Sequence, residues 1–221
     1  MQTSHSFLPD TDLTETQRYV TIQTYDRFAS IYAQKWEWNP KTIREIKKYN
    51  IMPFCKYAKK GGNVLIVGSF CGRDYHFLTN NGYACVGVEP SFGLLIEALR
   101  RVPNGLFLHR NLQLLPFMPE SFDAVYADAL TSIPKKKMKE TIKDFTIFLR
   151  KKGILYLSLK LGKTDVILMD DLGGKRYFTL FTEKEIRNII SSCDLTILWS
   201  ATSDHTDPTL PQWFSLIAKK T

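Results

Sequence analysis

The sequence has no run of about 18 apolar residues, so a membrane-spanning helix is not expected. Residues 1–20, MQTSHSFLPDTDLTETQRYV, are polar and hold no apolar signal core, so export by the usual route is not expected either. Cysteines are few: Cys55, Cys71, Cys85 and Cys193. None form a C-x-x-C pair, which argues against a zinc site or any other metal centre and fits reduced thiols in the cytoplasm. Zinc-finger spacing, an RNP-like aromatic string, low-complexity stretches and internal repeats are all missing.

What is present is a globular composition. The 221 residues are 44% hydrophobic and 24% charged, enough for one domain with its own core. Lys and Arg number 30 against 22 Asp and Glu, a formal charge of +8. The cations come in short pieces: Lys47-Lys48, Lys59-Lys60, Arg100-Arg101, Lys135 to Lys137 and Arg150 to Lys152. These fall at expected helix ends or loops, where cations favour the helix dipole and solvent. Solvated faces are the plainer reading; a surface for an anionic substrate or nucleic acid is the alternative.

Residues 14–58 read as helical, and Pro40 is a natural first residue for a second helix. Within them YDRFASIYAQKW places Tyr25, Phe28, Ile31, Tyr32 and Trp36 on one amphipathic face. The texture changes after Gly61-Gly62. Asn63 to Gly68 is a short apolar run ending in glycine, suited to a strand buried on both faces of a parallel sheet. Further strands are expected at 84–88, 105–109, 122–127 and 154–159, with helices at 75–80, 92–101 and 135–150 between them. Such alternation implies an open parallel α/β sheet. In the tail, 177–181 reads as a short extended piece. Thr182 with Glu185 makes a capping box for a helix to about Ser192. Segments 195–200 and 213–218 read as two strands that pair antiparallel.

Two stretches carry chemistry. VLIVGSFCGRD, residues 64–74, is a strand ending in a glycine turn before a helix, a geometry that offers backbone N–H groups to a ligand. VGVEPS, residues 86–91, ends the next strand on Glu89, 21 residues after Gly68, where an acid accepts hydrogen bonds from ribose hydroxyls. The nicotinamide and flavin pattern G-x-G-x-x-G is missing: the turn reads G-x-x-x-G with Phe70 in the middle, which disfavours a pyrophosphate.

With these motifs the chain resembles the class I S-adenosylmethionine-dependent methyltransferases, in particular the small bacterial enzymes of the methyltransferase-domain 11/25 type. The resemblance covers roughly residues 20–220. It rests on VLIVGSFCGRD, GVEPS, LPFMPESFDAVYADA, FLRKKGILYLSLKLG, GGKRYFTLFTEKEIRNII with QWFSLIAKK, and the lid-like YDRFASIYAQKW, in that family's order. It implies a Rossmann-like seven-stranded sheet with helices on both faces and the last strand antiparallel. Residues 1–60 would form a helical lid and substrate segment, and 61–221 the cofactor-binding domain, within one structural unit. S-adenosylmethionine would be the cofactor, with Gly68, Ser69, Phe70 and Gly72 along its methionine part. Glu89 would hold the ribose, Pro90, Ser91, Asn111 and Leu112 would sit at the adenine, and Asp128, Ala129 and Leu130 near the sulfonium. Tyr25 and Tyr32 would reach the cofactor from the lid.

This sequence departs from the family pattern at Ile66, where an acidic residue that orients the ammonium group is usual, at Phe70, at Asn111 and at Ser132. Methyl transfer from a sulfonium needs alignment and exclusion of water more than a fixed catalytic group. Asp128 is the candidate base or orienting residue. Trp36, Trp38, Arg176, Tyr177, His205 and Trp213 are candidates for the acceptor pocket, where aromatic and cationic groups suit a ring or an anion. The expected activity is methylation of a small molecule. The alternatives are methylation of tRNA or rRNA, prompted by the charge, and a non-catalytic binding protein, prompted by the diverged first motif. Oligomeric state and acceptor atom are left open.

Overall fold

The computed structural model describes residues 4–8, 14–112, 115–128, 130–163, 166–170, 172–203 and 211–221. The N-terminal part holds β1 (Ser4–Leu8), α1 (Glu15–Tyr32), α2 (Pro40–Ile46) and α3 (Met52–Tyr57). Widened π turns, Ala33–Glu37 and Lys47–Ile51, join the three helices. Thr14 and Gln17 close a capping box on α1, and the Asn39 side chain caps α2 with Pro40 at its first position.

There follow β2 (Asn63–Val67), α4 (Arg73–Asn80), β3 (Ala84–Glu89), α5 (Phe92–Arg101), β4 (Phe107–His109) and β5 (Phe122–Ala127). Next come α6 (Lys135–Phe148), β6 (Leu149–Leu161), β7 (Val166–Asp170), β8 (Arg176–Phe181) and α7 (Glu183–Ser191). The chain closes with β9 (Leu195–Thr202) and β10 (Trp213–Lys220). The Thr182–Glu185 capping box starts α7 where the sequence placed it.

The central sheet runs β4-β3-β2-β5-β6-β10-β9, and β10 alone within it is antiparallel to its neighbours. These are the seven strands expected, with the last one reversed. A further antiparallel set, β1-β7-β8, joins through Leu180 and Phe181 of β8, which pair with the overhanging end of β6 at Lys160 and Leu161. The sequence indicated only β8 of this set.

Strand β2 shows why its residues form a two-sided strand. Val64 and Ile66 face one core with Phe54, Leu78, Tyr126 and Tyr156; Leu65 and Val67 face the other with Ile142, Phe145, Ile186 and Leu216. In the first core Tyr126 and Tyr156 stack at 4.4 Å and Phe54 meets Tyr126 edge-on at 5.1 Å. Strand order reverses between β2, whose chain continues to β3, and β5 on its other side. That opens a crevice at the carboxyl ends of these strands.

Helix α1 lies over this crevice, tied at both sides. Toward α5, Asp26 Oδ1 accepts from Ser91 Oγ at 2.6 Å and from the Gly93 N–H at 2.9 Å. The approach is close enough that a Cβ on Gly93 would lie 2.5 Å from the Asp26 carbonyl oxygen. Toward β8, Thr24 Oγ1 donates to the Lys175 carbonyl at 2.7 Å and Thr21 Oγ1 accepts from the Tyr177 N–H at 2.9 Å.

Candidate active site

The crevice under α1 holds a cavity of about 470 Å³, counting the space open to solvent. Val67, Gly68 and Phe70 line it from the first motif, Glu89 and Pro90 from the end of β3, Leu112 from the loop after β4, and Asp128, Leu130, Thr131 and Ser132 from the loop after β5. Thr21, Ile22 and Tyr25 roof it from α1, and Phe178 closes it from β8.

The glycine turn is more self-contained than its sequence implied. Gly68, Phe70 and Gly72 all take positive φ, at 72°, 45° and 79°. The left-handed region suits glycine and strains phenylalanine. Each N–H of the turn already has an acceptor inside the protein. Gly68 and Ser69 donate to the Val88 carbonyl, Phe70 to Glu89 Oε2, Cys71 to Glu37 Oε2 and Gly72 to the Ser69 carbonyl. The expectation that these groups are offered to a ligand is therefore corrected: the turn spends them on its own shape and on two buried carboxylates.

Glu89 is buried at the wall of the cavity. Its Oε1 accepts from the Ser91 N–H at 2.9 Å and its Oε2 from the Phe70 N–H at 3.0 Å. Each carboxylate oxygen keeps a second lone pair for a further donor. Burial pushes this carboxyl up to about 8, against the two N–H bonds that lower it.

Asp128, at the end of β5, belongs to a second buried group. Its Oδ2 accepts from Arg73 Nη2 at 2.9 Å and its Oδ1 from Asn50 Nδ2 at 3.1 Å. Arg73 also holds Asp74 through two bonds, at 2.7 and 2.9 Å, and lies 3.3 Å from Glu37 Oε1. Burial raises the Asp128 carboxyl, and it raises Glu37 to about 7. Glu37, Asn50, Arg73 and Asp74 had no assigned role in the sequence. The π turn after α1 puts Ala33 and Glu37 on one buried side, a rotation that helical periodicity does not reveal.

Of the other sequence candidates, Ser69 and Gly72 sit behind the cavity. The Ser69 Cβ is in the space a side chain on Gly87 would need, and Gly72 abuts Ala98. Ser91 caps α5. Asn111 is exposed, and its Oδ1 accepts from Arg18 Nη2 at 3.3 Å. Arg176 is buried among the rings of Tyr25, Tyr32, Trp36 and Phe178, its guanidinium carbon 5.4–5.9 Å from each centroid. Phe70 joins this cluster, 5.9 Å from both tyrosines. Tyr177 donates its N–H to Thr21 of α1. Trp38 donates to the Cys71 carbonyl at 3.1 Å, and Trp213 stacks under Lys160 at 4.4 Å. Ala129 and His205 lie outside the described residues. Among the described residues no helix is long and apolar enough to cross a membrane, and no His, Cys, Asp or Glu cluster is arranged for a metal ion.

Residues 65–157, which run from β2 into β6, match the family model for the methyltransferase domain. That stretch is similar to the methyltransferase domain, and the fold around it is that of S-adenosylmethionine-dependent methyltransferases.

Solved structures share the fold of this chain. A SAM-dependent methyltransferase from Methanosarcina mazei is 21% identical, with 78% of this chain and 97% of that one covered and a TM-score of 0.69. The 1,6-didemethyltoxoflavin-N1-methyltransferase of Burkholderia thailandensis, solved with 1,6-didemethyltoxoflavin and S-adenosylhomocysteine, is 17% identical over 99% and 96% of the chains, with a TM-score of 0.71. The magnesium protoporphyrin IX methyltransferase of Synechocystis PCC 6803, solved with SAH, is 17% identical over 93% and 98%, with a TM-score of 0.68. No curated protein matches the sequence.

Proposed function

We propose that the chain binds S-adenosylmethionine in the cavity under α1 and methylates a small molecule there. The observation that carries this is the buried Glu89 carboxylate at the end of β3, in the wall of the cavity and with lone pairs to spare. Its neighbours fit the rest of the group: Pro90 and Leu112 offer apolar edges for a flat base, and Asp128 lines the same cavity. Glu89 would hold the ribose hydroxyls. When bound, S-adenosylmethionine supplies an activated methyl group for in-line displacement.

The chain's own residues exclude water and orient the acceptor. Ile22, Tyr25, Phe70, Leu130 and Phe178 give the cavity an apolar, aromatic lining, which suits a flat acceptor. Asp128 would orient the acceptor or take its proton, held in place by Arg73 and Asn50. Residues 1–60 act as the lid and 61–221 as the cofactor domain. Two of the similar structures favour a small acceptor, since by name they are methyltransferases of 1,6-didemethyltoxoflavin and of magnesium protoporphyrin IX. The test is methyl-labelled S-adenosylmethionine offered to a small-molecule extract and to total RNA. Label in the small-molecule fraction supports the reading, and label in RNA alone overturns the choice of acceptor.

A further inference from the structure

Three carboxylates, Glu37, Asp74 and Asp128, meet on the single guanidinium of Arg73, and all four side chains are buried. Fully ionised, the group keeps two negative charges more than positive ones. Buried charge without compensation is costly, so a proton or a cation must complete it. Ile66 and Tyr126 are register partners on β2 and β5, and Asp128 follows Tyr126 by two residues, on the same side of the chain. The surplus charge therefore lies just beyond the apolar Ile66, and Asp128 opens it to the cavity.

We propose that the Glu37–Arg73–Asp74–Asp128 cluster is the receptor for the cofactor's ammonium group, and that the bound cation displaces a proton from the cluster. This rests on the cofactor reading above. The negative charge that Ile66 does not provide comes instead from the lid side through Glu37 and from β5 through Asp128. The lid is thereby coupled to the cofactor, because Glu37 also accepts the Cys71 N–H of the glycine turn at 3.0 Å.

The groups facing the cluster set its proton count. They are Tyr32 from α1, Glu37 from the π turn, Cys71 from the glycine turn and Glu89 from β3, with Asp74 from α4, Tyr126 and Asp128 from β5 and Tyr156 from β6. The tyrosines and Cys71 are all raised by burial and stay protonated near neutrality. Proton exchange near neutrality therefore falls to the carboxyls, with Glu37 raised to about 7.

The experiment is calorimetric titration of the full chain with two probes that share the adenosine half. S-adenosylhomocysteine carries the ammonium group and 5′-methylthioadenosine does not. Titrations near pH 7 in phosphate and in Tris count the protons released. The expected result is roughly half to one proton more released per S-adenosylhomocysteine than per 5′-methylthioadenosine, since any release from Glu89 at the shared ribose is common to both. From pH 6 to pH 8 affinity for the first rises about tenfold more than affinity for the second. In Glu37→Gln the release and the pH dependence shrink for the first probe only. The wild-type proton count stands even where that variant folds poorly. Equal proton release and equal pH dependence for the two probes overturn the cluster's role and leave the cofactor reading intact. Failure of both probes to bind overturns the two together.

Discussion

A single nitrogen of Arg73, Nη2, donates to Asp74 and to Asp128 at 2.9 Å each, so one atom joins the start of α4 to the end of β5. The same guanidinium reaches Glu37 at 3.3 Å on the far side. Arg73 is thus the shared partner of three acids drawn from three separate segments.

Removing it leaves those acids buried without a cation. Arg73→Met is expected to cost about 3–5 kcal/mol, the range for breaking a buried pair from one side. Urea unfolding near pH 8 measures it. The loss should be smaller near pH 6, where protonation relieves part of the repulsion.

Stability of the ligand-free protein should fall as pH rises. Glu37 and Glu89 have folded values of about 7 and about 8, above the ordinary 4.5, with burial as the main cause in each. A carboxyl raised in the folded state binds more protons there than in the unfolded chain. Its contribution is intact below about pH 4.5 and is lost as pH climbs to 7–8. A melting temperature lower by about 5–10 °C at pH 8 than at pH 5.5 is expected. Glu37→Gln should flatten that slope, and a thermal melt series of both proteins checks it.

Helix α1 meets α5 where Gly93 lies against Asp26. A methyl group at residue 93 would lie 2.5 Å from the Asp26 carbonyl oxygen, a backbone atom that moves only with α1. Gly93→Ala is expected to lower stability by about 1–3 kcal/mol, as overpacking does. It should also weaken S-adenosylmethionine binding, since Thr21, Ile22 and Tyr25 roof the cavity from the same helix. Asp26→Asn, which keeps the size, should have the smaller effect on both readouts in melting and titration.

Much of the fold is legible in the residues because its signals are local. The run Val64 to Val67 is buried on both faces, and Thr182 with Glu185 starts a helix by itself. The pairing of β1 with β7 is not legible, since it joins Ser4 to Asp170 and neither five-residue strand carries a signal of its partner. The site divides the same way. Glu89 and Asp128 are placed by the ends of strands, which sequence pattern finds. Asn111 is turned to Arg18 across 93 positions of chain, and Glu37 is turned inward by a π turn. Both are consequences of tertiary packing, so no local pattern announces them.

The most direct test of the account is calorimetric titration of S-adenosylmethionine into the wild-type protein and into Glu89→Ala. The account predicts micromolar binding at one site in the wild type and a loss of about 10-fold or more in the variant, the cost of hydrogen bonds to a buried charged group. Absence of binding to a folded wild-type protein, or full affinity in folded Glu89→Ala, would contradict it.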